Sequence, residues 1–346
     1  MTIIHLLIGL GGGGAEHLVL ELAKQNKLAG NRVIVVGITS INLIEDKFRA
    51  YDIEYTSLKI DKISTAIPGI RKFLKILKKY PSSIIHAHMF HAGLLACVGK
   101  LFMPSSRIAF TLHTNYVKAL YRRFLLYATR SIRDVDIIFS QESKKAYHKN
   151  RFVVIPNGID TKKYQVLTRL PETFNCLFLG RLQEPKNPLY LVELVLKLKD
   201  KHKFIINVAG SGHLTEELKN RIKQNNLEDW FVFLGFSRDI PNLLAKSHCM
   251  IMPSLWEGMP ISILEAGAAA VPIVSTPVGS IPSILNDENA YLSDLDSFHL
   301  HLAKVIDNYP LAKSKAQKLK ALVLSDYDIK NTANKHHYLY AEILTT

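Results

Sequence analysis

Two glutamates in the second half of the chain stand where an anion or a sugar can be bound. Glu257 and Glu265 are separated by seven residues, and Glu257 precedes Gly258, Met259 and Pro260. Pro260 is predicted to be the first residue of a helix, which puts Glu265 more than one turn inside it. Loop amides near a helix start bind anions or sugar oxygens, and the Glu265 carboxylate can accept hydrogen bonds from two ribose hydroxyls. An ordinary capped helix with one solvated glutamate also fits this spacing.

Two cations, Arg181 and Lys186, follow an apolar run that ends at Leu179. Fixed cations at a strand end neutralise a diphosphate, Arg through a bidentate fork and Lys as a point charge. Where a reaction expels a nucleoside diphosphate, such charge stabilises the leaving group as it develops. Taken without the other motifs, the pair is equally compatible with two solvated surface cations.

Four consecutive glycines, Gly11 to Gly14, follow the first apolar run, and from Gly9 onward the sequence matches G-x-G-x-x-G. A dinucleotide-binding unit also needs an acidic residue at the end of its second strand. That strand, predicted over residues 32–38, is followed by Thr39 and Ser40, and the nearest acids come several residues late. The pattern alone leaves open whether the loop binds NAD, binds another phosphate or only turns the chain.

Three histidines lie close together at residues 86, 88 and 91, in the segment HAHMFH. His86 and His88 are predicted at a strand end on one face, where imidazoles can bind a metal ion. No carboxylate lies near them in the sequence, so we predict that neither this segment nor any other binds a metal.

The elements that must position these residues are alternating strands and helices. Apolar, β-branched runs are predicted as strands over residues 3–8, 32–38, 83–88, 107–112, 136–140 and 152–155, and, after a polar stretch at 161–173, over 175–179, 204–209, 230–234, 250–253 and 272–275. This alternation predicts two doubly wound domains with parallel sheets. Ligands bind beyond the carboxyl ends of such strands, which is where the segments above fall.

Positive charge is concentrated in the first half of the chain. Residues 1–160 hold 23 Lys and Arg against 11 Asp and Glu, whereas the remaining residues hold 21 against 19. This asymmetry favours an anionic surface or substrate met by the first half; general solubility is the alternative.

Cysteine usage and hydropathy indicate the compartment. Cys97, Cys176 and Cys249 are scattered and odd in number, so we predict buried thiols in a reducing environment. No apolar stretch reaches the ~18 residues of a membrane span, and the N-terminus lacks the pattern of a signal peptide. We therefore expect a cytoplasmic protein, peripheral on the inner face of the cytoplasmic membrane at most.

Six segments resemble, in chain order, motifs of the retaining GT-B glycosyltransferases of the GT4 group. They are GGGGAEH, TLHT, VIPNGID, FLGRLQEPKNP, VAGSGHL and PSLWEGMPISILEAGAAAVPIVSTPVG. The group contains many bacterial transferases for lipopolysaccharide, capsule and phosphatidylinositol mannosides. The resemblance covers nearly the whole chain and is most specific in the second half.

The resemblance implies an α/β, GT-B fold in which two Rossmann-like doubly wound parallel-sheet domains face a central cleft. Residues 1–165 would form an N-terminal acceptor-binding domain and residues 171–325 a nucleotide-sugar-binding domain. Residues 326–346 would be a C-terminal helix that returns to the first domain.

The resemblance also implies roles for individual residues. Arg181 and Lys186 would hold the donor diphosphate, and Glu265 would bind the ribose. Hydroxyls of the donor sugar would be held by Glu257 and the segment Gly258, Met259, Pro260 and Ile261.

The loops of both halves complete the expected site. The amides of Gly13 and Gly14 would approach the phosphate, while Ser211 and Gly212 would shape the cleft near the donor. His113 matches a histidine near the donor sugar, although a packed strand-end histidine is the alternative. The set expected to act in catalysis is His113, Arg181, Lys186 and Glu257.

The implied reaction is transfer of a hexosyl or N-acetylhexosaminyl group, with retention, from a nucleotide diphosphate sugar to a lipid-linked or surface-glycan acceptor. We expect UDP as the nucleotide because it is the commonest donor in the group, and no cofactor or metal. Because we identify no nucleophile for double displacement, front-face attack with the departing phosphate as base is the preferred hypothesis.

Two basic segments suggest contact with an anionic membrane. Residues 68–81 predict a helix with Ile70, Phe73, Leu74 and Leu77 on one face and Arg71, Lys72, Lys75, Lys78 and Lys79 on the other. Residues 116–133 mix aromatic residues with arginines. Such faces bind anionic lipid headgroups at ~1 kcal/mol per cation; a core helix with a solvated lysine face is the alternative.

Two other functions fit parts of the sequence. A nucleotide-sugar epimerase could use the same two-domain plan. A basic nucleic-acid-binding protein would explain the charge but gives no role to Glu257 or Glu265, so we expect no nucleic-acid partner.

Overall fold

The computed structural model describes residues 1–114, 116–166, 168 and 170–345. The chain forms two compact units. Unit 1 comprises Met1–Gly158 and Ile329–Thr346, and unit 2 comprises Ile159–Asp328. The division at residues 158 and 159 precedes the boundary expected at residues 161–171, in which Leu167 and Arg169 lie outside the described residues.

Unit 1 contains a seven-stranded parallel sheet. Its strands are β1 (Thr2–Leu7), β2 (Arg32–Gly37), β3 (Glu54–Ser57), β4 (Ile84–His88), β5 (Arg107–Thr111), β6 (Val135–Ile138) and β7 (Phe152–Val154), in the spatial order β3-β2-β1-β4-β5-β6-β7. Its first helices are α1 (Gly14–Leu28), α2 (Glu45–Arg49), α3 (Ala66–Lys79), α4 (Phe90–Phe102) and α5 (Leu120–Ala128). The central strands are mostly apolar on both faces because helices cover both, and the exceptions include the buried histidines of β1 and β4.

Unit 2 contains a six-stranded parallel sheet in the order β10-β9-β8-β11-β12-β13. The strands are β8 (Phe174–Leu179), β9 (Phe204–Ala209), β10 (Phe231–Gly235), β11 (Cys249–Met252), β12 (Ile273–Ser275) and β13 (Tyr291–Leu292). The helices are α6 (Tyr190–Leu198), α7 (Thr215–Gln224), α8 (Ile240–Ala245), α9 (Ile261–Ala268), α10 (Phe298–Asp307) and α11 (Tyr309–Asp326).

The last helix, α12 (Ile329–Thr345), belongs to unit 1 and packs against α1. Its buried face includes His336, Leu339 and Tyr340, and Leu339 and Tyr340 share a core cluster with Ile3 on β1. The opposite face of the same sheet is covered by α3, α4 and α5, through Phe73, Leu95 and Leu126 among others. Tyr338, on the same helix, is exposed.

The structure confirms the eleven predicted strands to within two residues and adds two more. The additions are the edge strands β3, whose sequence EYTS is polar, and β13, which has only two residues. The basic helix begins at Ala66, two residues before the predicted start, because a proline such as Pro68 is tolerated in the first turn. The three cysteines are buried and free, as predicted. Among the described residues, no helix is long and apolar enough to span a bilayer.

Candidate active site

Lys186 and Glu257 form a partly buried ion pair in unit 2. The Lys186 Nζ atom donates to Glu257 Oε1 over 2.6 Å, and the Ser254 hydroxyl donates to the same oxygen over 2.8 Å. The side chains are 20% and 10% exposed, respectively. The pair is supported by the backbone, because the Leu255 amide donates to the carbonyl of Pro185 over 2.8 Å. The lysine and the first glutamate of the two sequence motifs therefore meet at one place.

The Lys186 side chain lies against Gly180, the residue that precedes Arg181. A Cβ atom on Gly180 would stand 3.1 Å from Lys186 Cε, so the lysine stem crosses the backbone at this glycine. The Arg181 side chain is exposed. Lys186 ends a short 3₁₀ turn, Glu184–Lys186, and α6 begins at Tyr190 after Asn187 adopts a left-handed conformation. Both cations thus flank the carboxyl end of β8.

Ser211 and Gly212 hold the loop that carries Arg181. The Leu182 amide donates to the Ser211 carbonyl over 3.0 Å, and the Leu214 amide donates to the Leu182 carbonyl over 3.1 Å. A Cβ atom on Gly212 would stand 2.1 Å from the Leu182 carbonyl oxygen, which no side chain permits. This contact explains why glycine occupies position 212: it lets two loops pack backbone to backbone.

Glu265 lies in α9 and accepts a hydrogen bond from the Tyr164 hydroxyl over 2.6 Å. Burial raises the pKa of the Glu265 carboxyl, while the Tyr164 hydrogen bond and the charge of Lys186 act in the opposite direction. Tyr164 was not identified from the sequence. It stands 101 positions before Glu265 in a polar stretch with no motif, so no sequence signal marks it.

The start of α9 differs in one respect from the expectation. Pro260 is the N-cap residue with extended backbone, and Ile261 is the first helical residue. Pro260 has no N–H group, so within the segment from Gly258 to Ile261 it cannot donate to a ligand. Gly258 and Met259 are buried before it. Gly279 packs against this loop, and a Cβ atom added to Gly279 would stand 2.2 Å from the Glu257 carbonyl oxygen.

The glycine-rich loop of unit 1 leads directly into α1. Gly13 is the N-cap residue and Gly14 the first helical residue of this 15-residue helix. The backbone amides of the first turn have no intrahelical acceptor and attract anions. Gly12 has a φ of +77°, which favours glycine.

His113 follows β5 and is only partly buried, with a φ of +53° that is uncommon for a side-chain-bearing residue. Its Nε2 atom lies 2.9 Å from His88 Nδ1, and His88 Nε2 lies 3.1 Å from His5 Nδ1. Burial lowers the pKa of His113 to about 3. His113 is therefore the outer member of a cluster of neutral imidazoles at this strand end.

The only histidine, cysteine and carboxylate group with metal-site spacing in the described part of the chain is His5, His86 and His88. His91, which the sequence placed beside His86 and His88, is exposed on α4 and outside this group. His86 is held by Tyr340 over 2.6 Å and by Thr111 over 2.9 Å. His5 was missed because it stands inside an apolar strand. Most ring nitrogens of these three histidines form hydrogen bonds with one another or with neighbouring side chains.

Two parallel-sheet, Rossmann-like units define a protein of the GT-B fold class. The chain is similar over 99% of its length to the structure of Anabaena Alr3699/HepE in complex with UDP and glucose, with a TM-score of 0.88 and 18% identity over 100% of that chain. It is also similar to sucrose-phosphate synthase from Thermosynechococcus elongatus, with a TM-score of 0.84, 16% identity and full coverage of both chains. These likenesses confirm the predicted fold class.

Both halves of the chain match glycosyltransferase families. Residues 12–163 match the model described as Glycosyltransferase Family 4, and residues 160–321 match Glycosyl transferases group 1. Together the two matches span residues 12–321, so the chain belongs to the glycosyltransferases that these two models describe. It is an enzyme, as predicted. It is 27% identical, over 87% of its length and 86% of the relative, to the Escherichia coli protein named UDP-Gal:alpha-D-GlcNAc-diphosphoundecaprenol alpha-1,3-galactosyltransferase. The epimerase and nucleic-acid alternatives receive no support from these matches.

Proposed function

We propose that this glycosyltransferase moves a hexosyl or N-acetylhexosaminyl group from a UDP-sugar to a lipid-linked or surface-glycan acceptor. The observation that carries the donor assignment is the cluster at the carboxyl edge of the unit 2 sheet. Lys186 and Glu257 pair there after β8 and β11, and Glu265 lies in the following helix α9, where the charge of Lys186 acts on it. The name of the Escherichia coli relative supports UDP as the nucleotide and a diphosphate-linked lipid as the acceptor.

The proposed roles follow from charge and reach. Arg181 and Lys186 bind the donor diphosphate, and Glu265, oriented by Tyr164, accepts hydrogen bonds from the ribose hydroxyls. Glu257 and the amides of Gly258, Met259 and Ile261 hold hydroxyls of the donor sugar. Because Glu257 is paired with Lys186, a diphosphate that approaches Lys186 competes with this carboxylate, and Glu257 is released to accept sugar hydroxyls.

The proposed chemistry is retaining transfer without a metal ion. The bond between the anomeric carbon and the diphosphate oxygen breaks, and UDP leaves with the electron pair. The acceptor hydroxyl attacks the same face, and its proton passes to the departing diphosphate oxygen. Arg181 and Lys186 stabilise the negative charge that develops there. The anomeric configuration of the product, measured by NMR, tests retention, and full activity in EDTA tests the absence of a metal requirement.

We place the acceptor on unit 1. An open depression of about 270 Å³ lies beside the carboxyl ends of β2 and β3, and it is lined by polar side chains, by Glu45 and by the two cations Lys59 and Lys72. The Lys72 Nζ atom donates to the Ser57 carbonyl over 2.6 Å. Cations here suit an acceptor that carries phosphate.

Unit 1 also has the surface for a peripheral membrane contact. On α3 the five predicted cations Arg71, Lys72, Lys75, Lys78 and Lys79 are all exposed. On and near α5 the large side chains of Tyr116, Leu120, Tyr121, Phe124 and Tyr127 are 45–75% exposed beside arginines. Cations with exposed aromatic residues favour binding at an anionic bilayer surface. Flotation with anionic and neutral liposomes tests this: equal recovery with both removes the membrane proposal.

Thermal-shift measurements with UDP, GDP and ADP, each with and without its sugar, test the donor assignment. We expect UDP and UDP-sugars to stabilise the protein most. If no nucleotide stabilises it, the donor site is wrong. If GDP or ADP stabilises it instead, the UDP assignment alone is wrong.

A further inference from the structure

Three imidazoles form a continuous hydrogen-bonded chain from the carboxyl edge of the unit 1 sheet into its core. His113 Nε2 lies 2.9 Å from His88 Nδ1, and His88 Nε2 lies 3.1 Å from His5 Nδ1. His5 is in β1 and His88 in the neighbouring strand β4. The chain ends at His5 Nε2, which is buried and has no hydrogen-bond partner among the residues that the structure describes.

The positions of the protons on these three imidazoles are coupled. Burial lowers the pKa of all three histidines, so each ring is neutral at pH 7 and carries one proton. Two ring nitrogens about 3 Å apart need one proton between them. The rings must therefore point head to tail, and only two arrangements exist.

The two arrangements differ at the ends of the chain. In the first, His113 donates inward from Nε2, and His5 carries a buried N–H on Nε2 without an acceptor. In the second, His5 donates from Nδ1 to His88, His88 donates from Nδ1 to His113, and only a lone pair is left at His5 Nε2. Orphaned buried N–H groups are rarer than under-satisfied acceptors, so the second arrangement is favoured.

We propose that His5 and His88 are positioning residues that fix His113 in the tautomer with its proton on Nδ1. His113 then offers an N–H donor to a hydroxyl oxygen of a sugar substrate at the carboxyl edge of the unit 1 sheet. Only the identity of this ligand rests on the proposed function. The left-handed backbone of His113 restricts its main chain, and the hydrogen bond to His88 restricts its ring. Both restraints fix the direction of the Nδ1–H donor.

The two neighbouring histidines, His86 and His336, have hydrogen-bond partners outside this series of three imidazoles. Both ring nitrogens of His86 are bound, by Tyr340 and by Thr111. His336 Nδ1 donates to the Thr332 carbonyl over 2.8 Å. The void between these rings is about 10 Å³, which is room for one water molecule at most, so a sugar cannot enter the cluster.

The tautomer is measured directly by NMR of the full chain labelled with ¹⁵N-histidine. We expect His113 to show a protonated Nδ1 and an unprotonated Nε2. A proton on Nε2 of His113 overturns the proposal. A stoichiometric metal ion in the purified protein that disappears in His88→Leu also overturns it, because the rings would then be ligands.

Two substitutions at position 88 separate positioning from packing. The amide nitrogen of His88→Asn can take the place of Nδ1 and donate to His113, whereas His88→Leu cannot. We expect kcat to fall by about 10²-fold in His88→Leu, and to be partly restored in His88→Asn together with the Nδ1–H tautomer. His91→Asn, on the exposed face of α4, is the control. Equal loss in both position-88 variants contradicts a positioning role.

Failure of this inference is distinguishable from failure of the proposed function. UDP affinity, measured by calorimetry, depends on unit 2 in the proposed function and should be unchanged in His88→Leu. If the wild type does not bind UDP, the proposed function fails while the NMR result still decides the tautomer. If UDP binds and His88→Leu keeps wild-type kcat and KM for both substrates, the positioning role is wrong.

Discussion

Lys186 donates a hydrogen bond to Glu257 over 2.6 Å, although the two residues are 71 positions apart in the sequence. Each was expected to bind a different part of a nucleotide sugar. Their direct contact means that the positive charge of Lys186 and the negative charge of Glu257 neutralise each other. In the proposed function, a diphosphate that approaches Lys186 competes with Glu257 for this cation, so the two proposed contacts are coupled.

Lys186→Ala is expected to weaken UDP binding by about 2 kcal/mol or more, which is roughly 30-fold, because Glu257 is left as an uncompensated, partly buried charge facing the diphosphate. Calorimetric titration with UDP measures this. Lys197→Ala is the matched control, since Lys197 pairs with Glu193 over 2.7 Å on the exposed side of α6. Wild-type affinity in Lys186→Ala contradicts the diphosphate role.

Glu265→Ala is expected to abolish the preference of the protein for UDP over 2′-deoxy-UDP. A hydrogen bond to a charged group contributes about 1.5–3 kcal/mol, so the wild type should prefer the ribose form by roughly ten-fold or more. Tyr164→Phe should reduce this preference only in part, because the carboxylate stays but loses its orienting donor. If Glu265→Ala keeps the wild-type ratio of the two affinities, Glu265 does not bind the ribose.

The hydrophobic pattern was sufficient to predict the sheets, because a strand covered on both faces is largely apolar. It failed at the polar edge strand β3 and at the two-residue β13, where little apolar surface is buried. The same hydrophobic pattern hid His5, because this histidine stands within an apolar run.

Site residues could be proposed where local spacing specifies them, as in the segment from Glu257 to Glu265, and their roles stay predictions. The contact of Tyr164 with Glu265 was not, because chain folding brings together residues that share no motif. The pairing of Lys186 with Glu257 is of the same kind: residue types indicate chemistry, but only tertiary structure decides which charges neutralise each other.

Gly212→Ala is expected to destabilise unit 2 by about 1–3 kcal/mol, since the new methyl group would overlap the Leu182 carbonyl oxygen and force the loops apart. The same displacement moves Arg181, so UDP affinity should fall as well. Urea unfolding and UDP titration measure the two effects. Gly11→Ala is the control, because its nearest neighbour, Glu16 Oε1, would be 3.7 Å from the added Cβ atom. Wild-type stability in Gly212→Ala contradicts this close packing of the two loops.

Acid is expected to destabilise unit 1 through its buried histidines. Burial lowers the pKa of His5 to about 3 and that of His336 to about 4, from an ordinary value of 6.5. Below pH 6.5 the unfolded chain therefore binds protons that the folded chain does not, and the stability present above pH 6.5 is lost as the pH falls. Each of these two histidines should cost about 2 kcal/mol at pH 5.

One buried group opposes this loss. Burial raises the pKa of Asp136, beside Arg133, to about 6, so its contribution to stability increases as the pH falls through that value. Since several histidines act against one carboxyl, we expect a net loss between pH 7.5 and 5 in urea unfolding. His336→Gln should lose less than the wild type over this interval, because one group that protonates only on unfolding is removed. An identical loss in both proteins would show that His336 is not held neutral by burial.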